Sequence, residues 1–184
     1  MALDATNVSV AGDGIVAVGA LTATAPTGLG DLPVGFTDLG YISEDGVTES
    51  TDQSVEKIKA WQRNAVVRSV VTEGETTFSF TLIETKAETV ELAFGVTVGV
   101  DGSYVKDSGK ERPHQSFIID VLDGDRRERS YIPDGQVTEL GEITRVAGEP
   151  VGYEVTITAF DSAGIGGSVK VWDTALGATV PVAP

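Results

Sequence analysis

The stretch Thr76 to Gly95, TTFSFTLIETKAETVELAFG, changes its hydrophobic period partway along, and that change limits the possible folds more than any other feature of the chain. Phe78, Phe80 and Leu82 alternate with Thr77, Ser79 and Thr81, the two-residue period of a half-buried strand. After them Ile83, Ala87, Val90 and Phe94 recur at helical spacing, which predicts a helix over 86–94 with one packed face. Thr85 and Glu88 read T-x-x-E, a capping box whose hydroxyl accepts from the Glu88 N–H while the carboxylate reaches back to the Thr85 N–H. Losing such a cap costs about 1 kcal/mol. Gly95 stands where a left-handed C-terminal cap needs no Cβ.

The rest of the chain reads as strands. They are expected at Ile15–Gly19, Val34–Ile42, Val55–Trp61, Val66–Thr72, Thr76–Leu82, Val96–Val100, Gln115–Leu122, Arg127–Ile132, Gln136–Val146, Val151–Phe160 and Ser168–Trp172. Glu73-Gly74, Asp123-Gly124 and Asp134-Gly135 are read as the tight turns between neighbouring strands. Tyr153, Val155, Ile157 and Ala159 share one face of the clearest strand. Ser43–Gln53 (SEDGVTESTDQ) is read as a polar loop, long for a compact domain and so a candidate for function. The count predicts a mainly β chain, two packed antiparallel sheets forming a β-sandwich with one short α-helix. The body is expected over 13–173. Residues 1–12 and 174–184 hold too little periodic apolar surface for core, so they are expected as extended arms, either disordered or lying along a neighbouring subunit.

Chemistry is scarce. The chain has no cysteine and a single histidine, His114, read as a surface residue at a strand start. Disulfides and cysteine zinc sites are excluded, and a nucleophile–base dyad has poor raw material. Asp120, Asp123 and Asp125 hint at a calcium loop, but the twelfth position from Asp120 is Tyr131 rather than Glu. Gly164, Gly166 and Gly167 lack the lysine of a phosphate loop. Arg126, Arg127 and Arg129 form the one dense basic cluster and read as ion pairing within or between subunits. No catalytic residue, metal ligand or cofactor is expected. No stretch is apolar enough for a membrane span, and the start MALDATNVSV lacks the basic and apolar regions of a secretion signal.

Charge says more. The chain carries 28 acidic and 13 basic residues, a net −15, and nine carboxylates precede the first base, Lys57. Such a surface repels nucleic acid and anionic membranes. Repulsion of a polyanion is either a by-product of solubility or the purpose.

Residues 38–48 (DLGYISEDGVT), Ile58-Lys59-Ala60-Trp61-Gln62 and Phe78–Gly95 closely resemble the major tail, or tail tube, proteins of siphophages, in particular those of actinobacterial hosts. Phe117–Pro133, Gly135–Thr144 and Gly152–Ala159 continue the resemblance, which covers roughly residues 35 to 172 in order. It implies a structural virion protein that forms hexameric rings stacked into a tube conducting DNA during ejection. Expected partners are a tape-measure protein and tail chaperones, in the host cytoplasm, and then the tail terminator and distal tail proteins. DNA would pass without sticking, past carboxylates for which the strands between Gln115 and Arg145 are candidates. The chain stops at Pro184, so the extra immunoglobulin-like domain of some relatives is not expected. The family's inter-ring loop corresponds to Ser43–Gln53, placing Ser43, Glu44, Asp45, Glu49 and Asp52 at a contact that would meet Lys57, Lys59, Arg63 or Arg68 of the next ring. Other readings are a tail-terminator or baseplate subunit, or a carbohydrate-binding β-sandwich. The last needs aromatics gathered in a groove, and the aromatic fraction is 7%, with Trp61 and Trp172 equally suited to a core.

Overall fold

The computed structural model describes residues 8–180. Its strands are β1 (Asp13–Gly19), β2 (Phe36–Asp38), β3 (Ile42–Lys59), β4 (Val66–Leu82), β5 (His114–Asp123), β6 (Arg126–Leu140), β7 (Tyr153–Ala159) and β8 (Lys170–Asp173), with helix α1 (Ala87–Phe94) between β4 and β5. All pairings are antiparallel, in the order β2-β1-β5-β6-β7-β4-β3, with β8 on β6. The strands thus join into one eight-stranded sheet where two were expected. The reason is β6. Its first half pairs with β5 and β8, its second half with β7, so one continuous strand links what the sequence divides.

Asp134-Gly135 is accordingly no turn. β6 runs through it, with a register shift where Ser116 of β5 donates from its hydroxyl to the Pro133 carbonyl at 2.7 Å. A proline inside a central strand is tolerated at such an irregularity. Gly135 serves close packing, since a Cβ there would meet the Phe117 ring at 2.9 Å and Ile157 at 3.1 Å. Asp123-Gly124 does turn the chain between β5 and β6. Val96–Val100 forms no strand, β2 keeps only three residues of Val34–Ile42, and β6 ends at Leu140 rather than Val146.

One face of the sheet carries the main core. Phe78, Phe80 and Leu82 of β4, Tyr153, Val155, Ile157 and Ala159 of β7, Phe117 and Ile119 of β5 and Val16 of β1 are buried together with Leu92 and Ala93 of α1. The helix lies against β6 and β7. Its buried residues are Thr89, Val90, Leu92 and Ala93, while Ala87 is exposed. The packed stripe is therefore rotated from the expected one, because the helix begins at Ala87 and spans only two turns.

The capping box does not form either. Lys86 holds the N-cap position without a side-chain bond, and Thr85 reaches Tyr153 Oη at 3.4 Å instead. The other end follows expectation, with Gly95 at φ 64° accepting the left-handed cap. Arg112 Nε donates to the Ala93 carbonyl at 2.8 Å and Lys110 Nζ to that of Gly95 at 3.2 Å, cations placed on the negative end of the helix.

β5 is buried on both faces, from Ser116 to Asp120. Behind it Ala17, Ile118 and Tyr131 form a second cluster with Leu32, Phe36 and Trp172. Within this layer lies Asp120, wholly buried, with Arg129 at 1% exposure. Arg129 Nε and Nη2 donate to the two Asp120 oxygens at 2.6 and 2.7 Å, and Arg127 also donates to Oδ2. The same arginines reach across to the carbonyls of Gly28 and Leu29, both at 3.0 Å, and so fasten the Ala20–Val34 segment to the sheet. Arg127 and Arg129 of the cluster thus pair within the subunit, through an aspartate on the facing strand, while Arg126 donates to Ser9 Oγ at 3.0 Å.

β8 is held less evenly. Glu128 stands directly opposite Asp173, a like-charge pair across two strands. Partial desolvation, then the charges of Asp173 and Glu49, push the Glu128 carboxyl above the ordinary glutamate value of 4.5. A carboxyl raised in this way favours folding only while protonated. Its contribution is full at low pH and is lost as pH rises through the raised value. Glu128→Gln should therefore match the parent chain in acid and melt progressively higher than it as pH rises to neutrality, measured by thermal unfolding across pH. A gap that stays constant with pH would contradict the assignment.

Candidate assembly arm

β3 and β4 pair with each other along nearly their whole length, yet β4 pairs with β7 only from Thr76 to Leu82. Residues 53–75 therefore leave the body as a two-stranded ribbon with both outer edges unpaired. From Gly74 to Val66 the ribbon projects about 30 Å at the usual strand rise of roughly 3.3 Å per residue. Two strands alone are marginally stable in water. This one has exposed valines and isoleucine as well, namely Val55, Ile58, Val66, Val67 and Val71. Such surface along a strand edge is a template for another chain.

The expected loop Ser43–Gln53 is the first half of β3, and Glu73-Gly74 is not a turn, because Gly74 pairs with Gln53. Asp45-Gly46 marks a register shift within the strand rather than a reversal. The reversal comes at Trp61–Ala65, where Arg63 and Asn64 adopt φ 59° and 52° and Ala60 N–H donates to the Ala65 carbonyl at 2.8 Å. Trp61 at this tip is 98% exposed, neither in a core nor in a groove. Trp172 is half-buried, with Lys170 Nζ 4.8 Å from its ring centre.

Charge is divided along the ribbon. The root, residues 42–54 with 72–82, carries Glu44, Asp45, Glu49, Asp52, Glu73 and Glu75 and no base. The outer part, residues 55–71, carries Lys57, Lys59, Arg63 and Arg68 against Glu56 alone. Ser43, Glu44, Asp45, Glu49 and Asp52 all lie on β3 but are not gathered on one face. Glu49 falls on the side of Val47, which packs on the main core, and Asp52 on the other. Asp52 stands directly opposite Glu75, a like-charge pair worth up to about 1 kcal/mol of destabilisation.

The outer strands were expected at Val55–Trp61 and Val66–Thr72, but their pairing with each other was missed because the turn between them contains no glycine or proline. The exposed apolar run around Trp61 was the available signal. The described ends are tied to the subunit's own body. Gly12 N–H donates to Leu122 O at 2.9 Å, Val10 N–H to Asp123 Oδ2 at 2.9 Å, and Arg127 N–H to Thr174 Oγ1 at 3.1 Å. Residues 1–7 and 181–184 of the expected arms lie outside the described residues. Among the strands proposed to face DNA, β5 has its only interior carboxylate, Asp120, neutralised by arginine, leaving Glu128 and Glu139 exposed on β6.

The sequence model of the phage tail tube protein family matches residues 1–176. Among solved structures, a chain of the virion of a native gene transfer agent particle is 10% identical, with a TM-score of 0.43, over 88% of this chain and 96% of that one. No curated protein matches.

Proposed function

Because the chain belongs to the phage tail tube protein family, structural and non-enzymatic components of the virion tail, we propose that it builds the tube of a siphophage tail, of the kind found on actinobacterial hosts, as stacked hexameric rings. A single domain supplies one segment of each ring. Residues 13–173 form its body, flanked by the terminal arms. The ribbon of β3 and β4 bridges to the adjacent ring, and the stacked rings conduct DNA past a surface of net negative charge. The tape-measure protein and tail chaperones act during assembly, and the terminator and distal tail proteins close the two ends.

The observation that carries this reading is the ribbon, a long pair of strands with unpaired edges, exposed apolar residues and opposite charge at root and tip. A subunit meant to stay alone gains nothing from it. Ser43, Glu44, Asp45, Glu49 and Asp52 then belong to the bridge as its acidic root, and the like-charge pair of Asp52 and Glu75 there is relieved by cations of a neighbour. The carbohydrate-binding alternative wants aromatics gathered in a groove, whereas Trp61 stands apart at the ribbon tip. Negative-stain microscopy of the purified protein at rising concentration should show hollow filaments with a ring repeat. A discrete particle of fixed size at every concentration would refute the proposal.

A further inference from the structure

At the root of the ribbon, the strand start at 40–47 faces the segment leading into β1 and the end of β5 across a cleft of about 550 Å³. That is within the size range of sites that bury a ligand. Asp13, Asp38, Glu44 and Glu84 line it, and no lysine or arginine does. Lys86 lies beside it with its ammonium committed to the Asp38 carbonyl at 2.9 Å. Tyr41, 77% exposed, supplies an aromatic wall, and glycines leave the floor open. Ser43, also in the lining, has a buried hydroxyl with no partner among the described residues.

The ribbon tip has the complementary chemistry, a fully exposed indole among Lys59, Arg63 and Arg68. It cannot reach the cleft of its own subunit. The paired strands hold Trp61 about 45 Å from Val47 at the usual rise per residue. We propose that the cleft is the socket for the ribbon tip of a second copy of this chain, with Trp61 seated against Tyr41 and the tip cations against Asp13, Asp38, Glu44 and Glu84. The inference rests on reading the ribbon as the bridge between rings and adds where the bridge lands. Large aromatics flanked by arginine are the usual anchors of such contacts, and opposite charge excludes wrong registers. A plug and a socket on different surfaces make a heterologous contact, which repeats without closing.

The absence of native cysteine gives a clean test. Gln62→Cys with Tyr41→Cys, assembled under reducing conditions and then oxidised, should give a ladder of covalent multimers, as should Gln62→Cys with Ala11→Cys if the first pair impairs assembly. Gln62→Cys with Val105→Cys, exposed but away from the cleft, should stay monomeric. Trp61→Ala should raise the concentration needed for tubes by roughly tenfold or more. Tubes that form from both cleft pairs without inter-chain disulfides, or that link equally through Val105→Cys, would overturn the socket while leaving the bridge itself intact. The bridge is tested separately by shortening the ribbon.

Discussion

Replacing residues 54–73 with an Asn-Gly turn between Gln53 and Gly74 should leave a folded subunit that makes no tubes. Gln53 and Gly74 are directly paired, so a two-residue turn joins them without changing register. Nothing removed belongs to the core, whose nearest β4 member is Phe78, and every deleted residue except Ala60 and Val70 is exposed. Stability of the isolated subunit should change by only about 1 kcal/mol, since single surface changes away from packing usually stay within about 0.5 kcal/mol. Assembly should stop at monomers or single rings. Circular dichroism on heating, together with sedimentation and microscopy of the same sample, separates the two effects. Full-length tubes from the shortened chain would remove the ribbon from the inter-ring contact.

The largest effect on stability is expected inside the body of the subunit. Asp120→Ala leaves Arg129 buried in the layer behind β5, and Arg127 half-buried beside it, without their shared carboxylate. Removing one partner of a buried ion pair costs about 3–5 kcal/mol, because the remaining charge has lost both its counter-ion and its water. The loss should spread to the Ala20–Val34 segment, since the two arginines also hold the Gly28 and Leu29 carbonyls. Urea unfolding should show the drop. The double change Asp120→Leu with Arg129→Met should recover part of it by exchanging charge for apolar volume. A single variant that unfolds within about 1 kcal/mol of the parent would mean that water reaches the pair.

Other parts of the chain were legible in the sequence. β7 was readable because Tyr153, Val155, Ile157 and Ala159 all enter one core, giving the alternation a physical cause. The end of α1 was readable because Gly95 takes a conformation that other residues resist. The Asp120–Arg129 pair was within reach. Once Asp123-Gly124 is taken as the turn, the register sets Asp120 opposite Arg129. What concealed it was the habit of seeking partners for charges among their chain neighbours. The ribbon was harder. Its outer strands were read at Val55–Trp61 and Val66–Thr72, but they bury nothing in the subunit, so no in-and-out pattern shows that they pair with each other, and Asp45-Gly46 and Glu73-Gly74 offer turn signals where the strands continue. The single sheet was unreadable for a related reason. Local pattern identifies strand segments but not that one strand, β6, serves different partners along its length.

A ribbon with a basic tip and an acidic root has a further consequence once many copies join. If the ribbon bridges stacked rings, every subunit points the same way and the growing polymer has a compass built into its charge. One terminus always offers fingertips and the other always offers palms. A capping protein therefore needs to recognise only one kind of surface to tell the two termini apart.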